Sequence, residues 1–272
     1  MQVKQILLCF MASSIFLFAS VGAVSAESQG KEVSVDVMSY NIHHGVGLDG
    51  KLNLERSADV IKEADAEIVG IQEVDRYYGD RSDFKDVAKE LADLLGYHYV
   101  FAANLNLEPA DGHAENRQYG TAILSEYPII DSENIFLSSF GEEQRGLLRT
   151  DINVRGIHLN VYNIHLGLDV GSRLAQMGEI IEVVSEHPGA AFLLGDFNAE
   201  PDSEEYRLLV DRTDFVDVFS NVDDANTFPV INPIKRIDYI FATPDIEVNN
   251  QQVIPTEASD HLPVAVEGII RR

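Results

Sequence analysis

Ala191-Phe192-Leu193-Leu194-Gly195-Asp196-Phe197-Asn198-Ala199-Glu200-Pro201 joins an apolar run to an acid and an amide. Ala191–Leu194, closed by a glycine, reads as a buried strand, and the polar residues follow where the chain leaves it. Working outward, the same arrangement recurs. Apolar runs lead into Tyr40-Asn41-Ile42-His43-His44, Gln72-Glu73-Val74-Asp75, Tyr162-Asn163-Ile164-His165, Arg236-Ile237-Asp238-Tyr239 and Ser259-Asp260-His261. One acid after a strand is commonplace. Six strand ends bearing Asn, Glu, His or Asp describe a site built from loops on a rigid sheet.

Between these points short strands alternate with amphipathic helices. Val33, Val35 and Val37 alternate with polar residues and predict a strand over 33–40. Asn53 is placed to cap a helix with Leu54, Ala58 and Ile61 on one face. A second helix is expected to open near Asp83, carry Phe84, Val87, Leu91 and Leu94, and stop at Gly96. A third is expected from Ser172, with Leu174, Met177, Ile181 and Val184 facing the core and Pro188-Gly189 ending it. A short helix is expected over 204–210. Further strands are predicted over 68–72, 97–102, 120–124, 129–137, 147–154, 157–164, 236–241, 247–253 and 262–268. Hairpin-like strand pairs mixed with helices favour mixed sheets, and a two-sheet sandwich flanked by helices packs this order. No linker-like composition breaks the chain after residue 30, which predicts one catalytic domain over residues 31–272.

Residues 1–26 have the pattern of a signal peptide. Lys4 precedes an apolar run from Ile6 to Val24, and Val24-Ser25-Ala26 offers small residues for cleavage. An uncleaved anchor is the alternative, which the small-residue exit disfavours. The expectation is therefore a secreted monomer without stable membrane insertion after cleavage. Cys9 is the only cysteine, so the mature chain would hold no disulfide, as suits a core-stabilised exported protein. The whole chain carries 20 bases against 45 acids, net −25; losing residues 1–26 removes only Lys4 and leaves −26. A surface so acidic repels a nucleic-acid backbone, whose binding relies on many Lys and Arg contacts. It also keeps an exported protein soluble.

Asn, Glu and Asp are hard oxygen ligands, and no thiol softens the set. This favours Mg2+, with Mn2+ or Ca2+ as alternatives. Histidine is the natural proton carrier near neutral pH, and a carboxylate fixes its tautomer. Taken singly, Asp196 and Asn198 also suit a turn capping the next helix, and Asp238 suits an ordinary strand. Taken in order, Tyr-Asn-Ile-His-His, Ile-Gln-Glu-Val-Asp, Tyr-Gly-Thr-Ala-Ile-Leu-Ser, Asn-Ile-His-Leu, Gly-Asp-Phe-Asn-Ala-Glu-Pro, Arg-Ile-Asp-Tyr-Ile and Ser-Asp-His-Leu-Pro resemble the endonuclease/exonuclease/phosphatase superfamily, which includes deoxyribonuclease I and bacterial sphingomyelinases. The resemblance runs over residues 33–270. It implies a four-layer α/β sandwich, two mixed sheets packed face to face between helices, with the site at one edge. It further implies Glu73 as principal metal ligand, assisted by Asn41 and Asp260, and His261 as the catalytic histidine, held by Asp238. Either His261 or Asp196 would take the proton from water. Asn198 would donate to the scissile phosphate, and His165 would stabilise charge on the opposite side.

Of His43 and His44, one is expected to reach the site, with His43 assigned to substrate, and the other to lie on the surface. Asn116 and Arg145 are further candidates for orienting substrate. His98, His113, His158 and His187 show no carboxylate context of the strand-end kind and are read as structural. These features favour a phosphodiesterase or phosphatase acting on a small or lipid-headgroup phosphoester. A secreted Mg2+-dependent nuclease is the alternative, set back by the absence of Trp and of clustered Lys/Arg. A non-catalytic binding module ranks last, because the acid, His and Asn set is complete. No exposed aromatic hairpin of the sphingomyelinase kind is apparent.

Overall fold

The valine alternation becomes β1 (Glu32–Asn41), in which Val33, Val35 and Val37 are buried while Glu32 and Ser34 face outward. In a computed structural model, which describes residues 31–272, the chain continues through α1 (Leu54–Glu63), β2 (Ile68–Arg76), α2 (Val87–Leu95), β3 (His98–Leu107), β4 (Arg117–Ser125) and β5 (Ile129–Phe136). It goes on through β6 (Gly146–Val154), β7 (Ile157–His165), α3 (Val170–Glu186), β8 (Ala191–Asp196), α4 (Glu204–Arg212), β9 (Val216–Asp217), β10 (Asp238–Ala242), β11 (Glu247–Val253) and β12 (Val264–Arg271). The expected signal segment lies outside the described residues.

Two six-stranded sheets form, in the orders β11-β12-β1-β2-β4-β3 and β5-β6-β7-β8-β10-β9. Each is mixed: β1/β2 and β7/β8 are parallel, and the remaining pairs are antiparallel. Val35, Val37 and Ile68 of one sheet meet Leu148, Val161, Leu194 and Ile240 of the other in a shared core. On the outer face of the first sheet, Met38, Tyr40 and Ile71 pack beneath Leu54, Ala58 and Ile61 of α1 and Val87 and Leu91 of α2. On the outer face of the second, Tyr162, Leu193 and Phe241 pack beneath Met177 and Ile180 of α3 and Leu209 of α4. The result is the expected four-layer sandwich of helices, sheet, sheet and helices. Strands buried on both faces have no reason to alternate, which explains runs such as Ala191–Leu194.

This architecture positions the site. The parallel pairs β1/β2 and β7/β8 lie against one another, so their carboxyl ends emerge together at one edge. Gln72 and Asn163 fix that meeting inside the core. Gln72 Nε2 donates to Asn163 Oδ1 at 2.7 Å, and Asn163 Nδ2 donates to the Ile71 and Ala122 carbonyls at 2.9 and 2.8 Å. A buried network of this kind specifies how the sheets register. Gly195 permits the close pass just before Asp196. Its φ is +146°, and a Cβ there would stand 2.1 Å from the Ile164 carbonyl oxygen. Gly195→Ala is therefore expected to lower unfolding free energy by well over about 1 kcal/mol, measured by urea denaturation. An unchanged midpoint would contradict this packing.

Several elements differ from expectation. α2 begins at Val87, capped by Asp86, whose side chain accepts from Lys89 N. The chain before it cannot be helical, since Asp83 and Phe84 have φ of +57° and +52°. α3 starts at Val170 with Asp169 as its cap. Of the expected row, Met177 is buried and Ile181 and Val184 pack half-buried against the same core. The fully buried face also takes in Arg173, Gln176 and Ile180, which the expected row does not include. The polar residues there have internal partners: Arg173 Nε pairs with buried Glu205 of α4, and Gln176 bonds Gly167 N and the Ser138 carbonyl. β2 runs on through Glu73 to Arg76, and the short edge strand β9 was not anticipated. His158 does have a carboxylate: its Nδ1 lies 2.9 Å from Asp151 Oδ2 across the β6–β7 ladder, a sequence-distant pairing.

Candidate active site

Six strand ends converge at the sandwich edge, and local backbone distortions aim their side chains. In β2 the register to β4 shifts between Ile71 and Val74, and the residue inside that bulge, Glu73, has φ +59°. A bulge re-aims a side chain, here turning the carboxylate towards the edge. Asn41 closes β1 and is fully buried. Its Nδ2 donates to Glu73 Oε1 at 3.2 Å and to Asp196 Oδ2 at 3.1 Å, while its Oδ1 accepts from His43 N at 3.1 Å. One amide thus links acids from both sheets. In this orientation Asn41 presents its NH2 group, a donor, to the carboxylates.

Asp196 ends β8, and its Cα pairs with that of Asp238 at the start of β10. Both carboxylates are buried. Asp238 Oδ2 lies 2.9 Å from His261 Nδ1 and accepts its proton. That bond leaves Nε2 as the free ring nitrogen, and it stands 3.8 Å from Asp196 Oδ2. His165 Nε2, from the end of β7, reaches the same oxygen at 3.6 Å. Phe228 lies against the His261 ring with centroids 4.8 Å apart. The Ser259 hydroxyl donates to the Asn41 carbonyl at 2.7 Å, tying the Ser259–His261 segment to β1. Asn198, at φ +49°, donates its N–H to Asp196 Oδ1 at 2.8 Å and its Nδ2 to the Leu166 carbonyl at 3.0 Å.

Burial and charge set the protonation pattern. Burial alone would raise the Glu73 carboxyl, but the adjacent His44 imidazole and the Asn41 amide outweigh it and hold Glu73 well below its ordinary range. Asp196 moves the other way, to about 7, because burial and the nearby Asp238 charge both disfavour a second anion. Burial lowers His261, yet Asp238 overcomes it and pushes the imidazole up to about 10. His165 is lowered to about 3 by burial, with the Arg145 charge acting in the same direction. At neutral pH the site therefore pairs an imidazolium at His261 with a neutral imidazole at His165.

The outer candidates separate. Asp260 is partly exposed, with Oδ1 3.9 Å from His43 Nδ1. Arg145 is buried just before β6, where it pairs with Glu143 at 3.0 Å. Asn116 is exposed near the β3–β4 turn and donates to Asn106 Oδ1 at 3.1 Å; it makes no hydrogen bond to the acid and histidine cluster. His44 is not a surface residue. It is buried, with Nδ1 3.9 Å from Glu73 Oε2. Of His43 and His44, the expectation favoured His43 for the site, and Gln72, Asn163 and Ser259 stood within the motifs without a role of their own. The signal available was a polar residue next to each strand-end motif.

Residues 38–261 match the Endonuclease/Exonuclease/phosphatase family, and the chain belongs to that family, whose members are phosphoester hydrolases, in general dependent on a divalent metal. The uncharacterized protein YbhP of Escherichia coli strain K12 is 29% identical over 257 residues, covering 88% of this chain and 98% of YbhP. An endonuclease/exonuclease/phosphatase from Beutenbergia cavernae superposes with a TM-score of 0.76 at 24% identity, covering 88% of this chain and 72% of that one. A mannosyl-6-phosphatase from Bacteroides thetaiotaomicron gives 0.69 at 22% identity, covering 86% and 99%. At such identities these two structures share the fold. The donor set suits a divalent ion: Glu73 and ring nitrogens of His43 and His44 lie within 4.8 Å of one another, the His44 Nδ1 has no hydrogen-bond partner, and Asp260 stands 3.9 Å from His43.

Proposed function

We propose that the protein is an exported, monomeric, divalent-metal-dependent phosphodiesterase or phosphatase, acting on small or lipid-headgroup phosphoesters. The observation that carries the reading is the convergence of Asn41, His165 and His261 on one oxygen of Asp196, at 3.1, 3.6 and 3.8 Å, beside Glu73. Glu73 would hold the cation, of the Mg2+, Mn2+ or Ca2+ class, with Asp260 as a further candidate ligand. The cation supplies charge neutralisation at the phosphate oxygens. Asp196, held between the two imidazoles, takes the proton of the attacking water as the water oxygen bonds to phosphorus and the P–O bond to the leaving group breaks. The departing oxygen is protonated from solvent. His261, oriented by Asp238, sets its protonated Nε2 against the charge that develops on the phosphoryl oxygens. Asn198 and neutral His165 donate to phosphate from the other side, and Arg145 and His43 orient the rest of the substrate. Export rests on the sequence of residues 1–26.

Two features support a small or lipid-like substrate over nucleic acid. One is the net charge of −25. The other is an open groove of about 550 Å³ beside His261, lined by Leu48, Val230, Ile231, Pro233, Pro255 and Leu262. It adjoins the site directly, since Val230 N donates to the Asp260 carbonyl at 3.1 Å. Ile231 stands 68% exposed there, as apolar surface in need of a partner. Decyl p-nitrophenyl phosphate is therefore expected to have a kcat/KM at least about tenfold above the methyl ester, at about 0.8 kcal/mol per buried methylene. Ile231→Ser should narrow that ratio. Equal rates for the two esters, or faster cleavage of duplex DNA than of either, would favour the nuclease reading.

A further inference from the structure

We propose that His44 is a direct ligand of the cation at Glu73, and that with His43 beside it the site selects a first-row transition ion such as Mn2+ over Mg2+. The inference rests on the reading that a divalent cation sits at Glu73, and it names the ion and the nitrogen ligand which that reading leaves open.

Three observations meet at His44. Its side chain is only 9% exposed, and its Nδ1 has no hydrogen-bond partner. A buried polar atom left unmade costs about 1–3 kcal/mol, so a nitrogen retained there calls for a partner. The second observation is distance. Nδ1 stands 3.9 Å from Glu73 Oε2, too far for a hydrogen bond but a span that two metal–ligand bonds of about 2.0–2.2 Å each can bridge. A ring nitrogen of His43 joins the same cluster, with the ligand atoms of His43, His44 and Glu73 all within 4.8 Å of one another.

The third observation is backbone conformation. His43, His44 and Glu73 have φ of +44°, +46° and +59°. Non-glycine residues in the left-handed region are uncommon, and such strain gathers where a structure must hold side chains in a set geometry. Here three occur around one point, contributed by two separate segments. The His43 ring is itself positioned: its Nδ1 lies 3.2 Å from the Val46 carbonyl, which can fix the tautomer as outer partners of ligating histidines do. The ion preference follows from donor type. Mg2+ demands oxygen and keeps its waters. Mn2+, an oxygen-seeking ion at the low end of the first-row transition series, shares the Mg2+ donors at Glu73 and also takes an imidazole nitrogen, so a nitrogen ligand favours it over Mg2+.

The test uses metal-stripped protein titrated calorimetrically with Mn2+ and with Mg2+, together with pulsed electron paramagnetic resonance of the Mn2+ form. His44→Asn is the first variant, because asparagine tolerates positive φ yet is too short to reach the ion; His44→Gln, with an amide of longer reach, is the second. Wild-type protein should bind Mn2+ at least about tenfold more tightly than Mg2+ and show imidazole nitrogen coupling. Either variant should weaken that coupling and raise the Mn2+ Kd by about tenfold, while the Mg2+ Kd stays within about twofold. A wild-type Mn2+ spectrum without nitrogen coupling, or a Mn2+ Kd unmoved in a folded variant, would overturn the assignment while the hydrolase reading stands on its Glu73-dependent turnover. Failure of any divalent cation to bind would overturn both.

Discussion

Glu73→Gln is expected to lower kcat/KM on a generic phosphodiester by about three orders of magnitude, the loss of roughly 4 kcal/mol of transition-state stabilisation. The substitution keeps the shape and volume of the side chain and removes only its charge. That charge is well prepared in this chain. The bulge in β2 places it, the Asn41 amide steadies one oxygen at 3.2 Å, and its surroundings hold it ionised despite burial. A neutral amide leaves the cation without its anionic anchor, so calorimetry should show weakened binding of Mn2+ and Mg2+ alike. The unfolding temperature of the metal-free protein should fall modestly, because the surroundings that hold Glu73 ionised stabilise the folded state at neutral pH and a neutral amide forgoes that. Near-wild-type turnover would remove Glu73 from the site.

His261→Ala should cost about two to three orders of magnitude in kcat, the range for removing a donor aimed at charge that develops in the transition state. Asp238→Asn should approach the same loss without touching substrate, because Asp238 fixes the His261 tautomer and raises its affinity for a proton. The two residues act as one unit, so the double variant should be little worse than His261→Ala alone. Independent, multiplying losses would show that Asp238 serves the fold and not the histidine. Asp238→Asn should also move the alkaline limb of the rate profile to lower pH. The imidazolium that Asp238 now sustains to about 10 would deprotonate earlier without the carboxylate.

The architecture was legible because its signals are local. Valine alternation in β1, Asn53 as the cap of α1 and Gly96 at the end of α2 each depend on nearby residues. The two-face burial of β2 and β8 shows directly as uninterrupted apolar runs. Failures came where distant groups decide. The polar part of the α3 face could not be read from periodicity, because Arg173 is buried by pairing with Glu205 on another helix. His158 was assigned no carboxylate, since Asp151 meets it only across a strand ladder. The site's membership was visible in the strand-end motifs, while its wiring was not. Nothing local says that Asn41 spans two acids from opposite sheets, or that the second histidine of the His43-His44 pair turns inward towards Glu73. That turn depends on left-handed backbone at both histidines, which their residue type does not announce.

The most direct measurement of the central claim is turnover of bis-p-nitrophenyl phosphate by the purified protein, first treated with EDTA and then resupplied with Mn2+ or Mg2+. The predicted result is p-nitrophenol release that EDTA abolishes, that either cation restores, and that Glu73→Gln does not show. Release that survives complete metal removal, or that Glu73→Gln retains in full, would contradict a metal-dependent phosphoester hydrolase built on these strand ends.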